Sequence, residues 1–268
     1  MQSEVKIPLG MPTLLEMPRI GDCAKLCRQL GLQFVELNMN LPEYQAGLIN
    51  ERDIDFAQKE YGVFCTIHLD ERFDACDFNP NIRDAYLRTM RYAITLAGRH
   101  NMPVINMHMG EGVSFKLPGG AVHLYDQYID VYLDSIRQLR QFCEEAIGDS
   151  GTMICLENTN GFPVFAQRGI ELLLESPVFG LTVDIGHAYC AGGKDDSFLQ
   201  AHENRIHHMH IHDAKDEKCH LPIGSGALDI GKALQTAKTH GCTGVIEVKS
   251  IKGLYDSADA LDALLAAL

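Results

Sequence analysis

The sequence predicts an α/β protein that folds as a single (β/α)8 TIM barrel domain over residues 1–268. Eight apolar segments of strand length alternate with eight longer amphipathic segments, which is the pattern of a barrel of parallel strands. The length falls in the usual range for one such barrel. An open, doubly wound sheet is the alternative, but no GxGxxG turn follows the first strand.

Eight segments carry the strand prediction, and their apolar runs suit a parallel sheet that is covered by helices. In chain order they are KIPLGM (6–11), FVELNM (34–39), VFCTIHL (63–69), VINMHMG (104–110), TMICLEN (152–158), LTVDIGH (181–187), IHHMHIH (206–212) and GVIEVK (244–249).

Between the strands lie segments whose apolar residues recur at helical spacing, and several end at a glycine that is typical of a helix C-terminus. In chain order they are IGDCAKLCRQLG (20–31), ERDIDFAQKEYG (51–62), PNIRDAYLRTMRYAITLAGRHN (80–101), YDQYIDVYLDSIRQLRQFCEEA (125–146), GIELLLES (169–176), DDSFLQAHENR (195–205), DIGKALQTAKTHG (229–241) and SADALDALLAAL (257–268).

The segment GEGVSFKLPGGAVH (110–123) follows the fourth predicted strand and is too rich in Gly to continue a helix. We predict a long loop there. A lid over the site and a plain surface insertion both fit this segment.

The net charge is −13 at pH 7. This disfavours a broad nucleic-acid-binding surface, because phosphate binding needs Lys and Arg. A local groove can still bind DNA on an acidic protein, so the charge weakens nucleic acid as a partner and leaves it open.

Nine cysteines are scattered along the chain without a CxxC pair, and several lie inside apolar runs. We predict reduced, buried thiols in a cytoplasmic protein. No apolar run approaches the roughly 18–20 residues of a membrane span, and the N-terminus does not have the pattern of a signal peptide. The sequence therefore predicts no membrane partner, while a homo-oligomer stays open.

Polar residues near the carboxyl ends of the predicted strands share one parity. In VINMHM, for example, Asn106 and His108 alternate with Ile105 and Met107. The apolar parity suits the interface with the helices, so the polar parity should point into the barrel. The residues expected at one mouth of the barrel are therefore His68, His108, Glu157, Asp184, His210 and Glu247.

Taken as a set, these side chains predict a metal site. Three carboxylates that converge without cations would repel one another and raise one another's pKa, and a divalent metal removes that conflict. Mixed imidazole and carboxylate ligands favour Zn, Mn, Co or Fe over Ca. Any one of these residues alone fits a core histidine or an ion pair better, so the prediction depends on the repetition at successive strand ends.

Seven motifs in this order resemble the xylose isomerase-like barrel superfamily, the group of sugar phosphate isomerases, epimerases and endonuclease IV (AP endonuclease family 2). The resemblance spans about residues 64–250 and is specific for the superfamily, much less so for the substrate. The motifs are IHLD, NMHMG, CLENTNG, VDIGHAYCAGG, HIHDAK, HLPIGSG and IEVKS.

The resemblance implies a metal on Glu157, Asp184, His210 and Glu247, to which endonuclease-like members add a second metal on His68 and His108 with Glu157 as a bridge. Members with a third metal use a His that matches His187 and an Asp-x-His pair. His220 matches the histidine of that pair, but Lys218 replaces the aspartate. We therefore expect one or two divalent ions.

The first functional interpretation is a sugar or sugar-phosphate isomerase or epimerase. The metal would polarise a carbonyl and acidify the adjacent C–H. As the resemblance implies, Glu157 and Glu247 would remove and return a proton through a metal-stabilised enediolate. The partner would then be a small carbohydrate, and the candidate substrate-binding residues are Glu36, Lys249, His212 and Asp213. A salt bridge from Lys249 to Glu36 or Asp213 is the alternative for that lysine.

Two other functions stay open. A metal-dependent apurinic-site endonuclease is favoured by His68 and His108, and disfavoured by the charge, by Lys218 and by the few basic or aromatic runs. The third is a metal-binding barrel without catalytic activity, against which the nearly complete set of ligands argues.

Overall fold

A computed structural model describes residues 7–267. It contains a closed barrel of eight parallel strands, which confirms the predicted fold class. Lys6 of the first predicted strand and Leu268 of the last predicted helix lie outside the described residues. The strands are β1 Leu9–Pro12, β2 Phe34–Asn38, β3 Phe64–His68, β4 Val104–His108, β5 Ser114–Leu117, β6 Gly120–His123, β7 Met153–Glu157, β8 Phe179–Asp184, β9 Ile206–Ile211, β10 Asp213–Lys215, β11 Lys218–Leu221 and β12 Thr243–Ile246.

The barrel closes in the order β1-β12-β9-β8-β7-β4-β3-β2, so that the first and last strands of the chain pair with each other. The remaining strands form two antiparallel hairpins, β5-β6 and β10-β11, at the carboxyl-terminal side of β4 and β9. The helices are α1 Ile20–Gln29, α2 Glu51–Tyr61, α3 Pro80–Arg99, α4 Leu124–Gln127, α5 Ile129–Ile147, α6 Val164–Leu174, α7 Ile185–Cys190, α8 Asp196–Ala201, α9 Ile230–His240 and α10 Ile251–Ala266.

Local sequence explains where the helices begin and end. The side chain of Asn79 caps α3 and Pro80 occupies the first turn, where a missing N–H costs nothing. Gly62 ends α2 with a φ of +65°, a left-handed conformation that suits glycine. The helix predicted at 125–146 is interrupted at Tyr128, which separates α4 from α5.

The apolar parity of the barrel strands packs against the helices, as predicted. Leu37, Ile67, Ile105 and Leu156 are fully buried in one continuous core. The other parity fills the interior of the barrel with polar side chains, many of them completely buried. This second layer positions the candidate site.

The predicted loop at 110–123 is wrong over residues 114–123, where the chain forms the β5-β6 hairpin. A two-residue turn at Pro118 and Gly119 joins the strands, and Gly120 follows it with a φ of +127°. Phe115 and Leu117 are about half exposed because the hairpin projects away from the core.

Two predicted strands extend three residues too far. β8 ends at Asp184, whose side chain accepts a hydrogen bond from the N–H of His187 and so begins α7. β12 ends at Ile246, so Glu247 lies just beyond the last strand.

The prediction of reduced thiols is wrong for one pair, since Cys190 and Cys219 form a disulfide. Packing of α7 against β11 brings their Cα atoms to 6.9 Å, although 29 residues separate them in sequence. The other seven cysteines are free and buried, as predicted.

Among residues 7–267, the helices are too short or too polar to cross a membrane.

Candidate metal centre

The register of the barrel strands brings the predicted ligands to one mouth. His108 lies opposite Glu157 on β4 and β7, and Asp184 lies opposite His210 on β8 and β9. Glu247 joins them because its N–H donates to the carbonyl of Ile211 at the end of β9.

Glu157, Asp184, His210 and Glu247, which we call the four-residue cluster, are all buried and present ligand atoms within 4.8 Å of one another. His210 lies at its centre. Its Nδ1 is 3.1 Å from Oε1 of Glu157 and 3.3 Å from Oε2 of Glu247. The residues fit a divalent cation, since the cluster places three carboxylates around one imidazole nitrogen.

His68 and His108, which we call the histidine pair, contact the other oxygen of Glu157. Their Nε2 atoms lie 3.3 Å and 3.1 Å from Oε2 of that carboxylate. Glu157 therefore faces the histidine pair with one oxygen and His210 with the other, which is the arrangement of a bridging ligand.

His187 and His220 lie at the edge of the four-residue cluster. Nδ1 of His187 is 3.4 Å from Glu157 and 3.5 Å from Asp184. Nδ1 of His220 lies 3.1 Å from the carbonyl oxygen of Glu247. Their rings are in edge contact at 5.3 Å between centroids.

Histidine side chains supply the positive charge that balances the carboxylates of the cluster. Burial by itself raises the pKa of Glu157, but the charge of His210 and the close approach of the His108 and His187 rings keep that pKa well below its usual range. Burial lowers the pKa of His187, but Glu157 and Asp184 outweigh it and raise the pKa to about 9. The same competition raises the pKa of His210 well above its usual value. Protonated histidines thus neutralise the carboxylates in the metal-free protein.

The donor atoms themselves indicate that the cluster suits a cation. Nδ1 of His187 and Oε2 of Glu247 are buried and make no hydrogen bond among residues 7–267. Buried polar atoms are almost always hydrogen-bonded, so two atoms that face the same cluster with only ion-pair contacts of 3.3 to 3.6 Å fit a coordination site.

Two of the predicted substrate-binding residues are buried in contact with the metal ligands. Glu36 is 1% exposed, and its carboxylate contacts Nε2 of His210 at 3.1 Å and Nε2 of His208 at 3.2 Å. His212 is fully buried, and its Nε2 lies 3.0 Å from Oδ1 of Asp184.

The other two predicted substrate-binding residues lie near the mouth. Asp213 is 2% exposed, and its carboxylate accepts hydrogen bonds from the N–H groups of Ala214, Gly224, Gly226 and Leu228, which organises the loop after β9. Lys249 has a half-exposed side chain, and its Nζ lies 2.6 Å from Oε1 of Glu247. The alternative salt bridge from Lys249 to Glu36 or Asp213 is therefore replaced by one to Glu247.

Three buried polar residues around the ligands had no role predicted from the sequence. Asn106 donates to Oε2 of Glu157 and accepts from the hydroxyl of Thr182. Asn158 exchanges two hydrogen bonds of 2.9 Å with the backbone of Asp184. Two of them could have been found from the sequence by the inward parity that marks the ligands. Asn106 shares this parity with His108, and Thr182 shares it with Asp184.

Comparison with known proteins agrees with this fold. The profile of the family described as "Xylose isomerase-like TIM barrel" matches residues 24–267. The chain belongs to this family. The uncharacterized protein MJ1311 of Methanocaldococcus jannaschii is similar at 29% identity, over 76% of this chain and 70% of its own length.

Solved structures of the family share the fold at low sequence identity. A D-tagatose 3-epimerase-like protein superposes with a TM-score of 0.73 at 21% identity, covering 97% of this chain and 98% of its own. The 3-keto-D-glucoside 4-epimerase YcjR of E. coli gives 0.71 at 20%, over 97% and 100% of the two chains. Endonuclease IV of Thermus thermophilus gives 0.70 at 14%, again over 97% and 100%. The fold is therefore common to an epimerase, an epimerase-like protein and an endonuclease IV.

Proposed function

We propose that the protein is a metal-dependent isomerase or epimerase that acts on a sugar or a sugar phosphate. The observation that carries this proposal is the buried four-residue cluster at the barrel mouth, which two buried atoms face without making a hydrogen bond among residues 7–267. The cluster would hold one divalent ion, and the histidine pair with Glu157 would hold a second. Zn, Mn, Co and Fe suit this mixture of ligands.

When bound, the metal polarises a substrate carbonyl and acidifies the adjacent C–H. Glu157 and Glu247 supply the base and the acid. Opposing charges, of His210 above all, lower the pKa of both carboxyls well below the usual range, so both are ionised at neutral pH. One carboxylate can accept the proton on one face of the substrate. The other must first take up a proton from water or from a protonated neighbour before it can return one on the opposite face, and the accepted proton leaves to solvent.

Lys249 and His220 would contact the substrate. The ammonium group of Lys249 already pairs with Glu247, and its half-exposed side chain can also bind a hydroxyl or a phosphate oxygen. Burial lowers the pKa of His220 to about 4, so its imidazole is neutral at pH 7 and can donate to or accept from a substrate oxygen.

Glu36 takes a different part in the proposal from the one that the sequence suggested. Its carboxylate lies below the ring of His210, and the hydroxyl of Thr66 and Nε2 of His208 occupy its other oxygen. An imidazole ligand commonly gives its second nitrogen to a carboxylate, which fixes the ring and strengthens the metal bond. We assign Glu36 this role toward His210.

A second candidate, an apurinic-site endonuclease, is favoured by one observation. The histidine pair contacts Glu157, so the site has the residues for two ions, as phosphodiester hydrolysis uses. The net charge of −13 argues against DNA as the substrate. Lys218, which replaces an expected ligand, is exposed on β11.

Hydrogen exchange tests the first candidate directly. The metal-free protein is reloaded with Zn²⁺, Mn²⁺ or Co²⁺ and incubated in D2O with a panel of ketoses and ketose phosphates. We expect deuterium to enter the carbon next to the carbonyl, followed by NMR. E247Q should abolish this exchange, whereas E60Q, which changes an exposed glutamate on α2, should leave it unchanged.

Cleavage of an oligonucleotide that carries an abasic site is measured in parallel with the same metal-loaded samples. Cleavage without deuterium incorporation would establish the endonuclease instead. Neither activity, in a protein that binds metal, would favour a metal-binding barrel without catalysis.

A further inference from the structure

His212 lies directly after β9 and uses both nitrogens of its ring. The backbone N–H of His220 donates to Nδ1 at 2.9 Å. The carbonyl oxygen of Asp213 is 3.2 Å from the same nitrogen, but the N–H of His220 is a fixed donor and requires an acceptor. Nδ1 therefore carries no proton, and a neutral ring must carry its proton on Nε2.

The Nε2 atom of His212 faces the carboxylate of Asp184. It lies 3.0 Å from Oδ1 and 3.1 Å from Oδ2. The N–H of His187 donates to Oδ1 of the same carboxylate at 2.6 Å. The orientation of Asp184 is thus fixed by one side chain and one backbone donor, both of which are held by the protein and not by a ligand.

The surroundings leave the His212 ring one position. A Cβ atom at Gly186 would lie 1.9 Å from its Cε1, so only glycine at that position leaves room for the ring. His220, the donor to Nδ1, has a φ of +56°, which is rare for a residue with a side chain. A strained backbone at a buried hydrogen bond is typical of a functional constraint.

We propose that His212 is a positioning residue that holds the carboxylate of Asp184 for a divalent metal, in the tautomer with the proton on Nε2, and is not itself a ligand. This inference rests on the metal binding proposed above. It also explains a second feature. His187, His212 and His220 present ring nitrogens within 4.8 Å of one another, as a third metal site would. With both nitrogens of His212 engaged, this cluster has too few free donors, and the protein binds at most two ions.

Two substitutions separate the two hydrogen bonds of His212. In H212Q the amide nitrogen can replace Nε2 and donate to Asp184, but nothing replaces Nδ1. In H212N the amide oxygen can replace Nδ1 and accept from His220, but the donor to Asp184 is lost. Both variants remove the ring, so they are matched for its loss from the core.

The affinity for Zn²⁺ is measured on the full-length protein by competition with a chromophoric chelator. Loss of a partner that orients a ligand typically weakens metal binding by about 10–100-fold. We expect that loss for H212N and an affinity close to wild type for H212Q. Thermal unfolding of the metal-free variants reports separately whether each one folds.

The tautomer is read without mutation, from long-range ¹H–¹⁵N correlations of the histidine rings with and without Zn²⁺. A proton on Nδ1 of His212 would overturn the proposal, and so would three bound Zn²⁺ per chain. Wild-type affinity in H212N, or equal losses in both variants, would overturn the positioning role alone. If the wild-type protein binds no Zn²⁺, both this inference and the proposed function fail.

Discussion

The two sides of Glu157 differ in how firmly their donor atoms are fixed. In the four-residue cluster, Asp184 is held by His212 and Asn158, and His210 is held by Glu36. In the histidine pair, Nδ1 of His68 lies 2.6 Å from the carbonyl oxygen of Leu69, whereas the side chain of His108 is 18% exposed. Within residues 7–267, the hydrogen bond of the His108 side chain is to Glu157 itself.

The four-residue cluster is therefore set in place before a ligand arrives, whereas one member of the histidine pair, His108, is not. Ligands held in place by their neighbours bind metal more tightly, because less freedom is lost on binding. We therefore expect the four-residue cluster to bind the first ion and the histidine pair to bind a second ion more weakly.

Glu157 is shared by both halves, so its loss should have the largest effect. E157Q replaces the charged carboxylate that faces both halves with a neutral amide that has a single oxygen, and it removes the proposed proton acceptor. We expect kcat/KM to fall by about 10³-fold or more, together with loss of both bound ions measured by atomic absorption. An E157Q protein that keeps a full complement of metal would contradict the bridging role.

Removing the histidine pair should distinguish the ion bound by this pair from the ion bound by the four-residue cluster. The double variant H68N/H108N leaves the four-residue cluster intact, so we expect two bound ions to become one while the tighter affinity is unchanged. An isomerase that uses the tighter ion keeps most of its activity, whereas an endonuclease that needs both ions loses it. Titration with Zn²⁺ and the two activity assays together decide between these outcomes.

A smaller change tests how Glu36 supports the four-residue cluster. E36Q keeps the shape of the side chain but removes the negative charge beside Nε2 of His210. We expect the tighter metal affinity to weaken by about tenfold, without loss of either ion from a saturated sample. T66V serves as the comparison. It removes only the hydroxyl group that donates to the Glu36 carboxylate, so it should change the affinity less.

The smallest effect concerns the metal-free protein and its dependence on pH. The folded pKa of His187 is raised to about 9, above the value of about 6.5 for an unfolded histidine. Its contribution to stability is therefore complete below pH 6.5 and is lost as the pH rises through about 9. The free energy of unfolding of the metal-free protein should fall over this interval, and H187N should make the fall shallower. Urea unfolding between pH 6 and 9 measures both, and identical slopes would show that His187 gains no proton affinity from its neighbours.

The sequence was sufficient to predict the barrel and the side of each strand on which the ligands lie. Alternation at period two decides which side chains enter the barrel, and His108, Glu157 and His210 all obey it. Alternation does not show how deep in the barrel a side chain lies. Glu36 shares its parity with Asn38, but the register pairs it with Thr66, one layer below His68. A residue that parity predicts to face the substrate therefore lies under a ligand.

Other features depended on contacts between distant segments. The bond between Cys190 and Cys219 exists because α7 packs on β11, and nothing in either segment encodes that approach. The orientation of His212 likewise depends on a backbone N–H eight residues away. The β5-β6 hairpin differs from these two features, because its turn residues, Pro118 and Gly119, can be seen in the sequence. The Gly-rich composition of the segment nevertheless favours a loop.

The pairing of β12 with β9 has a consequence for how the molecule is assembled. Glu247 directly follows β12, so the last ligand reaches the cluster only when the final strand of the chain has joined the sheet beside β9. The four ligands come from the neighbouring strands β7, β8, β9 and β12, so an ion bound by all of them favours forms in which these strands stay paired, by mass action. The site that we assign to chemistry thus also stabilises this part of the barrel wall, and chelation should loosen the pairing of β12 with β9.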